Sequence, residues 1–417
     1  MKLGFLGLLF LAVAFLCVPS TAAQQADPPL PAQVVLPGDT WAALALRYHT
    51  EAETLRSLNP HMNRRREPTV GSSLNFPAGL TARTGRLVRP NDGGLLQTAV
   101  GTDLSPWTLA RLNELATPYR PTQYQPLYIP GDGEIRDLPA GFVALDFSQI
   151  PATPGTALGM RGIVTGSPVV NGRLDVLPVA NTVENGRFLG LVGTGAFFSP
   201  GAPELVLRVD GGPAWTQPVW FAERVWEYQQ LTLTGEAAEI DQAARDEERA
   251  RLRALWTTIT PGPRWTEAFE TPIADFLEVS ANYGGRRSYN GGPYLTYHEG
   301  VDYSAWAGTP VIAPAAGTVV LAERLYVRGG AVIIDHGLGV YSGYYHLSAV
   351  HATPGQNVQP GDLLGEVGTT GLSTGNHLHW DLLVNGVWVD AAAWQAQGLA
   401  CWSLEALARP CATAPDA

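Results

Sequence analysis

Six of the eight histidines in this 417-residue chain fall between His298 and His379. His298 opens the pentapeptide His298-Glu299-Gly300-Val301-Asp302, and His377-Leu378-His379 sets two imidazoles two residues apart. Both lie in apolar, glycine-bounded stretches that read as strands. Side chains alternate along an extended chain. A spacing of four therefore puts His298 and Asp302 on one face, and a spacing of two does the same for His377 and His379, with Cα atoms ~6.5–7 Å apart. Glu299 after His298 hints at the helical H-E-x-x-H zinc motif, but Gly300-Val301-Asp302 follows, so that motif is absent.

Two histidines and an aspartate suit zinc and leave its fourth position open for water. Such a site lowers the water's pKa to about 7 and polarises a scissile carbonyl. A further histidine can then serve as general base or acid. Spacing alone lets either His377 or His379 take the metal while the other stands over the water. The stretch YHEGVDYSAWAGTPVIAPAAGTVV, then YYHLS, then GQNVQPGDLLGEVGTTGLSTGNHLHWDLLVNG resembles, in order, the lysostaphin/LytM-type metallopeptidase family over about Ser280 to Asp390. The resemblance implies a C-terminal antiparallel β-sheet metallopeptidase domain whose zinc ligands are His298, Asp302 and His379. It implies His346 and His377 as the catalytic histidines, and an oxyanion-stabilising tyrosine for which Tyr294 and Tyr297 are both candidates. All five motif positions are filled, as an active enzyme requires. His336 reads as a structural histidine ending a buried strand, His351 as a loop residue, and Trp306 and Trp380 as core or groove wall.

The elements ahead of this domain must deliver it to a substrate. From Gln33 to Pro77 a short strand, a PGDT turn, two short helices and a returning strand follow one another. Thr40 caps the first helix and Thr50-Glu51-Ala52-Glu53 reads as a capping box for the second. PGDTW, LNPHMN and VGSSLNFP resemble the LysM family, which implies a βααβ module binding N-acetylglucosamine-containing glycans such as peptidoglycan. The pattern recurs more weakly about fifty residues on, Pro37, Asn59 and Pro77 corresponding to Pro90, Asn113 and Pro130, with Gly93-Gly94 in place of the Thr-Trp helix start. Short β-type runs divided by Asn171-Gly172, Asn185-Gly186 and Gly211-Gly212 then suggest an antiparallel sandwich acting as a spacer. A charged stretch from Glu236 reads as a solvated connecting helix.

The expected fold class is thus multidomain and mainly β: a LysM module at 31–78, a degenerate LysM-like module at 85–131, a β-sandwich-like spacer at 138–235, a linker helix at 236–258, the peptidase domain at 265–395 and a tail at 396–417. With 27 basic and 38 acidic residues, a net charge of −11 excludes a basic nucleic-acid-binding face. Lys2, the apolar run Leu3 to Val18 and Thr21-Ala22-Ala23 make residues 1–23 an export signal, with an uncleaved anchor as the alternative. Leu16 is too bulky for a lipoprotein signal at Cys17. No later stretch could cross a bilayer, so the mature chain is expected to be a soluble monomer in the periplasm, the cell wall or the medium. Cys401 and Cys411 are expected to pair there, closing a short loop. The function expected is zinc-dependent endopeptidase action on peptidoglycan stems or cross-bridges. The alternative is a non-catalytic wall-binding activator of an amidase in cell division, a class that lacks the zinc ligands present here.

Overall fold

The computed structural model describes residues 32–63, 66–89, 94–119, 126–232, 242–396 and 398–412. The expected leader, Gly93 and residues 236–241 of the connecting helix lie outside them. Among the described residues no helix is long and apolar enough to cross a membrane.

The first segment runs strand Ala32–Val34, helices Trp41–Arg47 and Ala52–Leu58, and strand Ser73–Asn75, which pairs back antiparallel with the first. Thr40 caps the first helix by accepting from the Ala43 amide. The capping box does not form: the N-cap of the second helix falls one residue later, on Glu51, with no side-chain cap. The Thr50 amide is instead spent on the Ala45 carbonyl, closing the turn between the helices. Asn59, fully buried, clips the module shut by donating to the Leu55 and Asn75 carbonyls and accepting from the Asn75 amide. A second strand–helix–helix–strand unit follows, Thr84–Val88, Gly94–Val100, Pro106–Leu112 and Leu127–Glu134. There Asn113 makes the same clip to Leu109 and Tyr128, at the position that the repeat aligned with Asn59.

Two four-stranded antiparallel sheets come next. One orders as Phe142–Phe147, Ala157–Val164, Arg187–Gly193 and Ala180–Glu184; the other as Trp215–Pro218, Glu204–Val209, Val170–Leu174 and Leu177–Pro178. They do not stand apart as a spacer. The Pro37–Trp41 turn of the first module is buried, and the Gln217 side chain bonds both Gly38 and Asp39 in it. Trp41, Leu44 and Leu74 share one apolar cluster with Leu158, Phe188 and Leu205. On the Arg187–Gly193 strand the alternation divides the work: Phe188 and Val192 face this cluster, while Leu189 and Leu191 join the core of the catalytic region. A strand buried on both faces reads as a continuous apolar run, so its second interface leaves no pattern in the sequence.

Three boundaries differ from the expected ones for the same reason. The Tyr228–Leu231 strand leaves the spacer and pairs with Arg286–Tyr289 of the catalytic region. The connecting helix, Gln242–Trp256, is not a solvated linker: Glu248, Leu252 and Trp256 are buried against that region. The tail contains a helix, Leu399–Ala406, whose Leu399, Ala400 and Leu404 enter the same core, with Cys401 disulfide-bonded to Cys411 behind it.

The catalytic region is an eight-stranded antiparallel sheet in the order Glu278–Ala281, Gly300–Ser304, His377–Val384, Val340–Leu347, Gly330–Gly337, Gly317–Arg324 and Asn357–Val358, with Val387–Val389 added beside His377–Val384. The two strands Gly330–Gly337 and Val340–Leu347 are buried along their whole length. They form the rigid floor beside which the site is built.

Candidate metal centre and active site

Register brings the motifs together. In the pairing of Gly300–Ser304 with His377–Val384, Asp302 lies opposite His379 and Ser304 opposite His377. On the other side of the same strand, Tyr345 lies opposite His379, which places His346 at the rim. Close approach is needed here: a Cβ on Gly300 would sit 2.2 Å from the Trp380 carbonyl oxygen and 2.8 Å from His379 Nε2, so only glycine fits beside the ligand. His298 and Asp302 do not share one unbroken strand, because the chain leaves the sheet at His298 and Glu299. His298 is held there by backbone bonds to Gly284 and Gly285, and its ring still turns onto Asp302.

Three side-chain atoms converge. His298 Nε2 lies 2.9 Å from Asp302 Oδ1, His379 Nδ1 lies 2.7 Å from the same oxygen, and the two nitrogens are 3.0 Å apart. Their protonation can be worked out from what surrounds them. His298 Nδ1 faces the Asn282 carbonyl at 3.0 Å, and a carbonyl only accepts, so Nδ1 carries the proton and Nε2 presents a lone pair. Burial pushes the His298 imidazole down to about 4, keeping it neutral. Burial alone would raise the Asp302 carboxyl, but the facing imidazoles of His298 and His379 hold it well below the usual carboxylate range. His298 Nε2, His379 Nδ1 and Asp302 Oδ1 thus turn three donor atoms toward one another, the arrangement a bound cation would use. The spacing is close to the ~3.3 Å separation of donor atoms in a tetrahedral zinc site, and the three groups are the ones among the described residues that could jointly hold a metal ion. Arg287, which sequence reasoning missed, donates to Asp302 Oδ2 at 3.1 Å and fixes the carboxylate from behind.

His346 and His377 stand next to this triad, their ring centroids 4.7 Å apart, with His346 6.2 Å from the His379 ring. Each gives its Nδ1 proton to a backbone carbonyl, His346 to Thr370 and His377 to Gly375, both at 2.8 Å. That leaves Nε2 of each free to exchange a proton with a substrate. His377 Nε2 lies 3.9 Å from Asp302 Oδ1, just outside the converging triangle. His346 is pushed down to about 3, mainly by burial and then by the neighbouring His377 and His379.

The two candidate tyrosines separate. Tyr297 is half-buried against Phe197 and Tyr283, with its hydroxyl beside Gly195. Tyr294 is exposed and stacks edge-on against Tyr228. Trp380 is in the core, Trp306 is exposed, and His351 is a surface residue bonded to Glu366.

His336 lies outside the site. Its Nδ1 donates to the Ala316 carbonyl and its Nε2 accepts from Ser342, in full burial. Burial pushes it down to about 4, against ~6.5 for an unfolded histidine. Between those values the unfolded chain binds a proton that the folded one does not. Stability is therefore complete above pH ~6.5 and falls by about 3 kcal/mol as pH drops through the window. The unfolding midpoint is expected to fall steadily from pH 6.5 to 4, and less so in His336→Gln; a flat profile would contradict the assignment.

A class of protein follows from this fold and site, and similarity to known proteins agrees with it. Residues 296–391 match Peptidase family M23, and residues 34–77 match the LysM domain. The chain carries an M23, lysostaphin-type peptidase domain behind an N-terminal LysM domain. Among its relatives, the DD-carboxypeptidase/endopeptidase Mpg of Neisseria meningitidis is 47% identical over 89 residues, which are 21% of this chain and 20% of that protein. The peptidoglycan DD-endopeptidase ShyA of Vibrio cholerae is 35% identical over 120 residues, 29% of this chain and 28% of that one. The catalytic domain of lysostaphin from Staphylococcus simulans superposes with a TM-score of 0.23 at 27% identity, covering 30% of this chain and 87% of that domain. The chain thus spans under a third of the length of the two sequence relatives named.

Proposed function

We propose that the chain is a zinc-dependent endopeptidase that hydrolyses peptide bonds in peptidoglycan and is tethered to wall glycan through its LysM region. The observation that carries this reading is the convergence of His298 Nε2, Asp302 Oδ1 and His379 Nδ1 with His346 and His377 alongside. His298, Asp302 and His379 would hold the zinc, which when bound supplies a Lewis acid that polarises the scissile carbonyl and acidifies water. His377 and His346, with Nδ1 anchored on carbonyls, each keep Nε2 for proton exchange. One takes the proton from the attacking water as general base, and the pair then delivers it to the leaving amine. Such an activity places the chain outside the cytoplasm, where the Cys401–Cys411 bond is stable.

The bond is proposed to be a D,D cross-link, since of the two sequence relatives named above one is a DD-carboxypeptidase/endopeptidase and the other a peptidoglycan DD-endopeptidase. Digestion of purified sacculi with direct D,D cross-links, followed by mass analysis, should convert cross-linked dimers to monomers. Sacculi cross-linked through glycine bridges should be cut poorly. Cleavage confined to the glycine bridges would overturn the bond assignment.

Tethering raises the effective concentration of substrate at the site. Because the first module shares its core with the two four-stranded sheets, the binding unit runs to residue 232. A chain ending at 232 should co-sediment with insoluble peptidoglycan, and one beginning at 242 should do so less. Equal retention would remove the tethering role.

A further inference from the structure

His346 sits in the left-handed backbone region, φ 63°, where a side-chain-bearing residue is held only by its surroundings. Two loops hold it. The loop at 368–372 takes its ring, through the Thr370 carbonyl, and the 325–330 turn takes its backbone, the Arg328 carbonyl accepting from the His346 amide at 2.9 Å. The loops are bonded to each other, Leu372 amide to Val327 carbonyl at 2.7 Å and Gly330 amide to Thr370 Oγ1 at 2.8 Å. Gly329, at φ 66°, makes that approach possible, since a Cβ there would lie 2.4 Å from the Thr370 carbonyl oxygen.

The turn itself is fastened from outside the peptidase domain. Glu248, on the Gln242–Trp256 helix, accepts from the Val327 amide at 2.7 Å, the Arg328 amide at 3.2 Å and Arg328 Nη1 at 3.2 Å. The Arg328 guanidinium lies over the rings of Trp256, from the same helix, and of Tyr345, the residue before His346. Its Nη2 reaches Glu299, next to the ligand His298, and Arg249 of the helix holds the other oxygen of Glu299 at 2.6 Å. A glutamate buried to 7% exposure on a charged helix, with its carboxylate filled by two amides and a guanidinium of one turn, is more than helix packing requires.

We propose that Glu248 is a positioning residue for His346, acting through the Arg328 turn, so that the helix joining the N-terminal half to the peptidase domain sets the geometry of proton transfer. This rests on the proton-transfer role given to His346 above. Glu248 touches no reacting atom. Without it the 325–330 turn loses the acceptor for two of its amides, the Arg328 carbonyl shifts, and His346 relaxes from its left-handed conformation.

The test uses the full chain with Glu248→Ala, Glu248→Asp and Glu248→Gln, and Arg251→Ala as a control that removes only the exposed pair with Glu323 on the same helix. Glu248→Ala should lower kcat on peptidoglycan by about 10–100-fold, with KM within about twofold and zinc content unchanged. Amide hydrogen exchange at Val327, Arg328 and His346 should quicken. Glu248→Gln, which keeps an acceptor oxygen for only one of the two amides and turns its NH2 toward the other, should fall between wild type and Glu248→Ala in kcat, and Glu248→Asp, too short to reach, should match Glu248→Ala. Arg251→Ala should match wild type in both readouts. Wild-type kcat and unchanged exchange at His346 in Glu248→Ala would overturn the proposal. If that variant does not fold, equal kcat in the Asp and Gln variants does so. A wild-type chain without peptidase activity would defeat the functional reading instead, and the exchange measurement would still decide whether Glu248 holds the turn.

Discussion

Replacing Asp302 with alanine is expected to empty the chain of zinc, replacing His379 to leave only weak binding, and each to reduce peptidoglycan hydrolysis by at least ~10³-fold, as loss of the Lewis acid implies. Asp302 is the more damaging position. Its Oδ1 is the common partner of both imidazole nitrogens, at 2.9 and 2.7 Å, and its Oδ2 holds Arg287. Its removal leaves two imidazoles, which bring no negative charge to a dication, and a half-buried Arg287 guanidinium without its carboxylate partner. In His379→Ala the carboxylate and His298 remain, so weak, exchangeable metal binding is expected in place of tight binding. Elemental analysis after gel filtration is the check. Full occupancy in either variant would refute the ligand assignment.

A second large effect separates proton transfer from metal binding. His346→Ala and His377→Ala should each keep zinc near the wild-type level while turnover falls by roughly 10²–10⁴-fold, the usual worth of a positioned acid or base. The structural reason is that their Nδ1 protons are committed to the Thr370 and Gly375 carbonyls, and His377 Nε2 stands 3.9 Å from Asp302, outside the triangle formed by the other three atoms. A histidine that takes the proton must be neutral to do so, so activity should fall on the acid side of its pH profile. Zinc lost in His377→Ala but retained in His379→Ala would exchange the two roles.

Spacing marked His298 and Asp302, four apart, and His377 and His379, two apart, although the chain leaves the sheet at His298 and only its ring turns back onto Asp302. His346, and which histidine was expected to do which job, came only from the resemblance to the lysostaphin/LytM-type family. What surrounds them was not legible. Asn282, Thr370 and Gly375 act through backbone carbonyls, which every residue has, so their side chains give no signal. Arg287 is one arginine among many until strand register puts it behind Asp302. Glu248 was masked by its neighbours: a helix dense in Glu and Arg has the composition of a solvated face, and only the Val327–Arg328 turn, eighty residues away, reveals a buried one. The domain borders failed in a related way. Leu189 and Leu191 look like ordinary strand core, and nothing local says that they pack against a different sheet from Phe188 and Val192. The alternative of a non-catalytic amidase activator is disfavoured by the site itself, since a chain without a reaction to perform has no need to set two further imidazoles beside a carboxylate-imidazole triad.

The central claim is that one zinc ion is held by His298, Asp302 and His379, and not by His346 or His377. Anomalous diffraction at the zinc absorption edge, on crystals of the full chain, tests it directly. The account predicts one strong peak per chain, within ~2.0–2.2 Å of His298 Nε2, Asp302 Oδ1 and His379 Nδ1 and beyond bonding distance of both other imidazoles. A peak bonded to His377 or His346, or no peak from zinc-supplemented crystals, would contradict it.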